Sequence, residues 1–83
     1  MHLLELFRGL ADPTRLRIML LLGEMELAVG ELAQLLDQSQ PRVSRHIRIL
    51  CEAGLTERRK EGAWVFVKQA GSDRPTLRAL ERL

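Results

Sequence analysis

Between Ser39 and Lys60 the chain gathers side chains suited to a polyanion. Ser39, Gln40, Arg42, Ser44, Arg45 and Arg48 fall close together, and Arg58, Arg59 and Lys60 stand consecutively a little further on. Guanidinium and ammonium groups neutralise phosphates, Arg and Gln read base edges through paired hydrogen bonds, and short hydroxyls meet phosphate oxygens. Charge is distributed to match. Residues 1–36 hold three Arg against five acids, residues 37–68 hold seven Lys/Arg against four acids, and residues 69–83 hold three Arg against two acids. A basic surplus concentrated in one stretch is the electrostatic footprint of a nucleic-acid partner. The same residues would also suit a merely solvated polar surface, and the elements that carry them distinguish the two.

Other reactive groups read differently. His46 falls at the edge of an apolar helical face, where a packed, hydrogen-bonded structural histidine is expected and backbone contact with DNA comes second. Cys51 follows Leu50 near a helix end and reads as a buried, inert thiol. Trp64, beside Phe66 in a β-favouring run, reads as core and not as a stacking platform. No Ser/His/Asp or Cys/His set, no Gly-rich phosphate loop and no clustered metal ligands are visible, so neither catalysis nor a cofactor is expected within these residues. The single cysteine excludes an internal disulfide. No basic segment precedes an apolar run at the N-terminus, and the longest apolar stretch, Ile18 to Leu22, is too short for a bilayer. A cytoplasmic protein without a membrane partner is expected.

Leu3, Leu4, Phe7 and Leu10 at helical spacing mark a first helix. Asp12 is a suitable N-cap with Pro13 behind it, and Pro13 to Leu22 is apolar almost all round, which predicts a central helix buried on most sides and ended by Gly23. Val29 to Leu36 forms a third helix, and Asp37-Gln38-Ser39 a tight turn. A fourth helix opens at Gln40, with Val43, Ile47 and Leu50 on its inner face, and Gly54 sits where a left-handed cap is needed. A hairpin follows: Leu55 to Arg59, a turn at Lys60-Glu61-Gly62, then Ala63 to Lys68. Asp73 caps a last helix at about 74–83. Helix, tight turn, helix and hairpin make a winged helix-turn-helix, mainly α, with about five helices and a two-stranded wing in one domain spanning 1–83. That shape sets one helix into a DNA major groove. Leu3, Leu4 and Phe7 at one end and Leu77, Leu80 and Leu83 at the other form stripes that so small a domain cannot cover, so they are expected to be a homodimer interface. The last stripe is unfinished, as in a dimer-forming domain or a piece of a longer protein.

Several of these segments resemble one family, the ArsR/SmtB-type winged-helix transcriptional regulators. They are Leu10-Ala11-Asp12-Pro13-Thr14-Arg15-Leu16-Arg17-Ile18, Glu31-Leu32-Ala33-Gln34-Leu35-Leu36, Ser39 through Leu50, Ala53-Gly54-Leu55 and Arg58 through Val65. The resemblance covers about four fifths of the chain, and linked motifs in one order are more specific than any one of them. It implies a homodimeric repressor of promoters whose dimer surface uses the first and last helices. The departures are informative. Relatives that sense thiophilic metals carry Glu-Leu-Cys-Val-Cys-Asp-Leu, where this chain has Glu26-Leu27-Ala28-Val29-Gly30-Glu31-Leu32, so both thiolate positions are empty of thiol. A second family site uses His and acids on the last helix, where this chain offers Arg74, Arg78, Glu81 and Arg82. Metal sensing is therefore not implied, and no effector can be named. Glu26 to Gly30 and Arg45 to Cys51 are also similar to the N-terminal modules of methyltransferase-fused members, which makes such an enzyme's regulatory module the alternative reading.

Overall fold

A computed structural model describes residues 3–71. In chain order the elements are α1 (Leu3–Leu10), α2 (Pro13–Leu22), β1 (Leu27–Ala28), α3 (Val29–Leu36), α4 (Gln40–Glu52), β2 (Thr56–Glu61) and β3 (Trp64–Gln69). The expected last helix and its Leu77, Leu80 and Leu83 lie outside the described residues. The wing is larger than the sequence suggests. β1, too short for a periodicity signal, pairs antiparallel with β3, so the sheet has three strands in the order β1-β3-β2.

The helix ends follow from local chemistry. Asp12 caps α2, its Oδ1 accepting backbone N–H bonds from Thr14 at 2.7 Å and Arg15 at 3.3 Å, with Pro13 in the first turn where a missing N–H costs nothing. Ala28 precedes α3 without a side-chain acceptor, but the Glu31 carboxylate takes the Ala28 N–H at 2.8 Å, satisfying one donor that the helix start would leave bare. α3 ends with Asp37 in the left-handed region at φ 53°. The Asp37 and Gln38 N–H groups donate back to Gln34 and Ala33 carbonyls, a closure that turns the chain within three residues into Ser39, the N-cap of α4. α4 closes the same way. Gly54 takes φ 78°, Leu55 N–H donates to the Leu50 carbonyl at 2.9 Å, and the buried Leu55 side chain seals the end.

The core lies where α2, α3 and α4 meet β3, built from Ile18, Leu22, Leu32, Val43, Ile47, Leu50, Leu55 and Val67. Each fully buried aliphatic side chain contributes on the order of 2 kcal/mol. α2 departs from the expectation of a helix buried on most sides. Ile18 and Leu22 face the core one turn apart, while Leu16 and Leu20 remain 45% and 75% exposed. The reason is the number of neighbours: with α1, α4 and β3 against it, a helix still shows a side to the exterior. No helix of the described residues is long and apolar enough to cross a membrane.

Candidate nucleic-acid interface

α4 divides its surface cleanly. Val43, Ile47 and Leu50 turn inward and are buried, whereas Pro41, Ser44, Arg45 and Arg48, three and four residues apart, form an exposed outer stripe. Arg58 of β2 closes the far side of this stripe, and the five residues line a groove of about 270 Å³. At the helix start Ser39 Oγ accepts the Arg42 N–H at 3.3 Å; Gln40 and Arg42 are exposed beside it. The α4 N-terminus thus faces outward with its positive end of the helix dipole.

The strand register sorts the basic residues of the wing. Arg58 lies opposite Val67 and Lys60 opposite Val65, whereas Arg59 lies opposite Phe66 and Glu61 opposite Trp64. Cross-strand partners share a face and successive residues alternate, so Arg58 and Lys60 stand on one side of the sheet and Arg59 on the other. Arg59 is engaged there. It bonds Glu26 and Glu61, and its guanidinium carbon sits 4.8 Å from the centre of the Phe66 ring. The two carboxylates raise its pKa further above the ordinary value. Lys68, also on that side, lies 3.8 Å from Glu57. Among the described residues no ion pair engages Arg42, Arg45, Arg48, Arg58 or Lys60. Among the described residues, Arg42, Arg45 and Arg48 on α4 and Arg58 beside them form no ion pair, and Arg59 and Lys68 are paired on the opposite face of the wing. Lys60 belongs to β2 and not to the turn, because the hairpin closes through Gly62 and Ala63 alone, with Gly62 at φ 59°.

His46 is tied into the fold as expected. Its Nδ1 lies 3.2 Å from Arg15 Nη1, and since a guanidinium only donates, Nδ1 must accept. Burial lowers the His46 pKa, and the charges of Arg15, Arg42 and Arg45 push the same way against Asp12. Arg15 also donates from Nε to the Gly9 carbonyl at 2.7 Å and from Nη2 to the Arg8 carbonyl at 3.1 Å. One guanidinium therefore joins the end of α1, the start of α2 and the middle of α4. Sequence reasoning assigned Arg15 no role, because a contact across thirty-one positions has no periodic signature. Cys51 is half-buried, its Sγ 3.0 Å from Thr56 Oγ1.

Trp64 corrects the sequence reading. It is 60% exposed and not core. The alternation was available: Val67 points inward, so Trp64, Phe66 and the charged Lys68 share the outer face. The first-helix residues expected at a dimer surface, Leu3, Leu4 and Phe7, are 65%, 62% and 57% exposed. At the family's thiolate positions, Ala28 offers a methyl, and a side chain on Gly30 would meet Gln40 Nε2 at 3.3 Å, so these residues do not fit a thiophilic metal. Among the described residues no three His, Cys, Asp or Glu are grouped to hold a metal ion.

A short sharp turn between two helices, an outward second helix and a hairpin beside it define a winged helix-turn-helix. Comparison with known proteins agrees. The profile described as "Bacterial regulatory protein, arsR family" matches residues 12–58. The "Arsenical resistance operon repressor" of Escherichia coli (strain K12) is 56% identical over 66 residues, which cover 78% of this chain and 56% of that protein. Among solved structures, HlyU from Vibrio cholerae N16961 superposes with a TM-score of 0.80 at 34% identity, covering 95% of this chain and 87% of that one. A homodimeric winged helix-turn-helix DNA-binding domain from Mycobacterium bovis gives 0.82 at 32% identity, covering 94% and 72%. The chain belongs to the arsR family of bacterial regulatory proteins. It spans about half the length of the first curated relatives it matches.

Proposed function

We propose that this chain is the DNA-reading domain of a transcriptional repressor that binds duplex DNA sequence-specifically as a homodimer. The observation that carries the reading is the segregation of charge: Arg45, Arg48 and Arg58 line one groove with no carboxylate partner among the described residues, while Arg59 on the other face of the wing is neutralised. In this reading Ser39, Gln40, Arg42, Ser44, Arg45 and Arg48 enter or flank the major groove, and Arg58 and Lys60 hold phosphates beside it. Arg59 acts mainly by stiffening the wing. Two copies joined through α1 and the C-terminal segment would set their α4 helices about one DNA turn apart, roughly 34 Å, on a palindromic site. The relatives are repressors and regulators, and no observation favours the methyltransferase-module alternative. Arsenic figures in the name of the Escherichia coli relative, but Ala28 and Gly30 supply no thiols, so no arsenite site is proposed at these positions.

The test is a gel-shift titration at several salt concentrations on a duplex selected from a random library. Arg45→Ala is expected to weaken binding of the selected site by about 1–3 kcal/mol. Lys60→Ala is expected to weaken all sequences alike and reduce the salt slope by about one. Unchanged affinity in both variants would overturn the assignment.

A further inference from the structure

We propose that Trp64 is a DNA-backbone contact, an indole that packs on deoxyribose beside the recognition helix and donates its Nε1–H to a phosphate. The proposal rests on the DNA-binding reading above and adds to it a residue that is neither basic nor on α4. Trp64 is 60% exposed at the tip of the wing. It is also held in place from behind: its ring stacks on Phe66 with centroids 6.5 Å apart and planes 26° from parallel, and Phe66 is backed by the Arg59 guanidinium, itself clamped by Glu26 and Glu61. The ring is therefore presented rigidly, so little side-chain entropy is lost on contact.

What surrounds the ring identifies the occupant. On one side Trp64 borders an open cleft of about 670 Å³ that reaches Ser39 and Gln40 at the start of α4 but is also lined by the carboxylates of Glu31 and Asp37. Its register puts Trp64 on the Arg59 face of the sheet, but as the first residue of β3 it also reaches the edge of a cleft of about 230 Å³ shared with Ser44 and Arg58. The smaller cleft holds no carboxylate, and there an apolar plane beside a hydroxyl, an amide and a guanidinium complements a sugar–phosphate chain, whose sugars are apolar and whose linkages are anionic, whereas Glu31 and Asp37 direct that chain away from the larger one. Bases in an intact duplex are stacked on one another and offer no free face, so the contact is to the backbone and carries no sequence information of its own.

The composition supplies a direct probe. The chain has one Trp and no Tyr, so its long-wavelength emission is that of Trp64. The full chain is titrated with a dye-labelled duplex, and dye anisotropy, tryptophan emission and acrylamide quenching are followed together. Emission is expected to change with the same midpoint as anisotropy, and acrylamide quenching to fall as the indole is covered. Trp64→Ala is expected to weaken the selected site and an unrelated duplex by the same factor, about five- to tenfold, with Trp64→Phe losing less. Saturating anisotropy with unchanged emission and quenching would overturn the Trp64 contact and leave the DNA reading standing. A loss confined to the selected site would overturn it too, by assigning the indole to base readout. No anisotropy change with any duplex would instead overturn the DNA reading and the contact with it. Circular dichroism of both variants checks that the fold is retained.

Discussion

Replacing Arg15 with Ala tests how the helices are held in register. Arg15 makes three side-chain bonds, to the Gly9 carbonyl at 2.7 Å, to His46 Nδ1 at 3.2 Å and to the Arg8 carbonyl at 3.1 Å. The last is exposed and contributes little. The first two are partly buried, and removing a charged donor from such acceptors costs about 1 kcal/mol each after discounting for solvent. Alanine's better helix propensity returns a few tenths. A net loss of about 2 kcal/mol corresponds to a melting temperature roughly 10–15 °C lower for a domain of this size. The assay is thermal and urea unfolding at one fixed protein concentration, because a dimer's stability depends on concentration. Arg15→Lys is expected to recover less than half, since one ammonium cannot span three acceptors. pH adds a second reading. His46 has its pKa lowered in the fold by burial and by neighbouring guanidinium groups that outweigh Asp12, so the unfolded chain takes up the proton more readily. Stability is then full above the ordinary imidazole value of about 6.5 and declines as the pH falls from there through the lower folded value. Removing Arg15 takes away one opposing charge and narrows that window, so the variant's deficit is expected to be smaller at about pH 5.5 than at about pH 7.5. A loss under about 0.5 kcal/mol at neutral pH, or a deficit that grows on acidification, would refute the reasoning.

Asp12→Ala is expected to cost about 1 kcal/mol in urea unfolding at neutral pH, the usual effect of losing an N-cap. Burial alone would raise the Asp12 pKa, but the Thr14 and Arg15 N–H bonds together with the His46 and Arg15 charges bring it below the ordinary value, so the stabilisation by its charge is present above the unfolded carboxylate value and lost as the pH falls through the folded one. Calorimetric titration with arsenite is expected to show no stoichiometric sub-micromolar site; if one appears, Cys51 shared between two copies is the first residue to replace. Phe7→Glu, at an exposed position of α1, is expected to shift the protein toward monomers in light scattering and to weaken binding to a palindrome far more than to a half-site; equal losses on both would count against the α1-mediated dimer.

What was legible in advance was whatever depends on neighbours along the chain. Asp12 before Pro13, the start of α4 at Gln40 and Gly54 after its end are local statements about backbone groups near helix ends, and they are found as read. The inner face of α4 was equally plain, because Val43, Ile47 and Leu50 must lie on one side of any helix. Together with the basic residues on the other side, these determined the winged helix-turn-helix and the candidate interface. Tertiary structure decided what depends on partners far away in sequence. Two residues of β1 have no period of their own and exist as a strand only because β3 supplies their hydrogen bonds. The exposure of Leu16 and Leu20 reflects which described elements, α1, α4 and β3, pack against α2, which hydrophobicity cannot specify. The one-residue alternation of β2 became meaningful only once its register on β3 was set, and that register puts Arg58, which borders α4, and Lys60 on one face and Arg59 beside Glu26 on the other. Three consecutive cations in the sequence are thus two cations on one face of the sheet and one in a clamp on the other, because successive side chains of a strand point to opposite sides of its sheet.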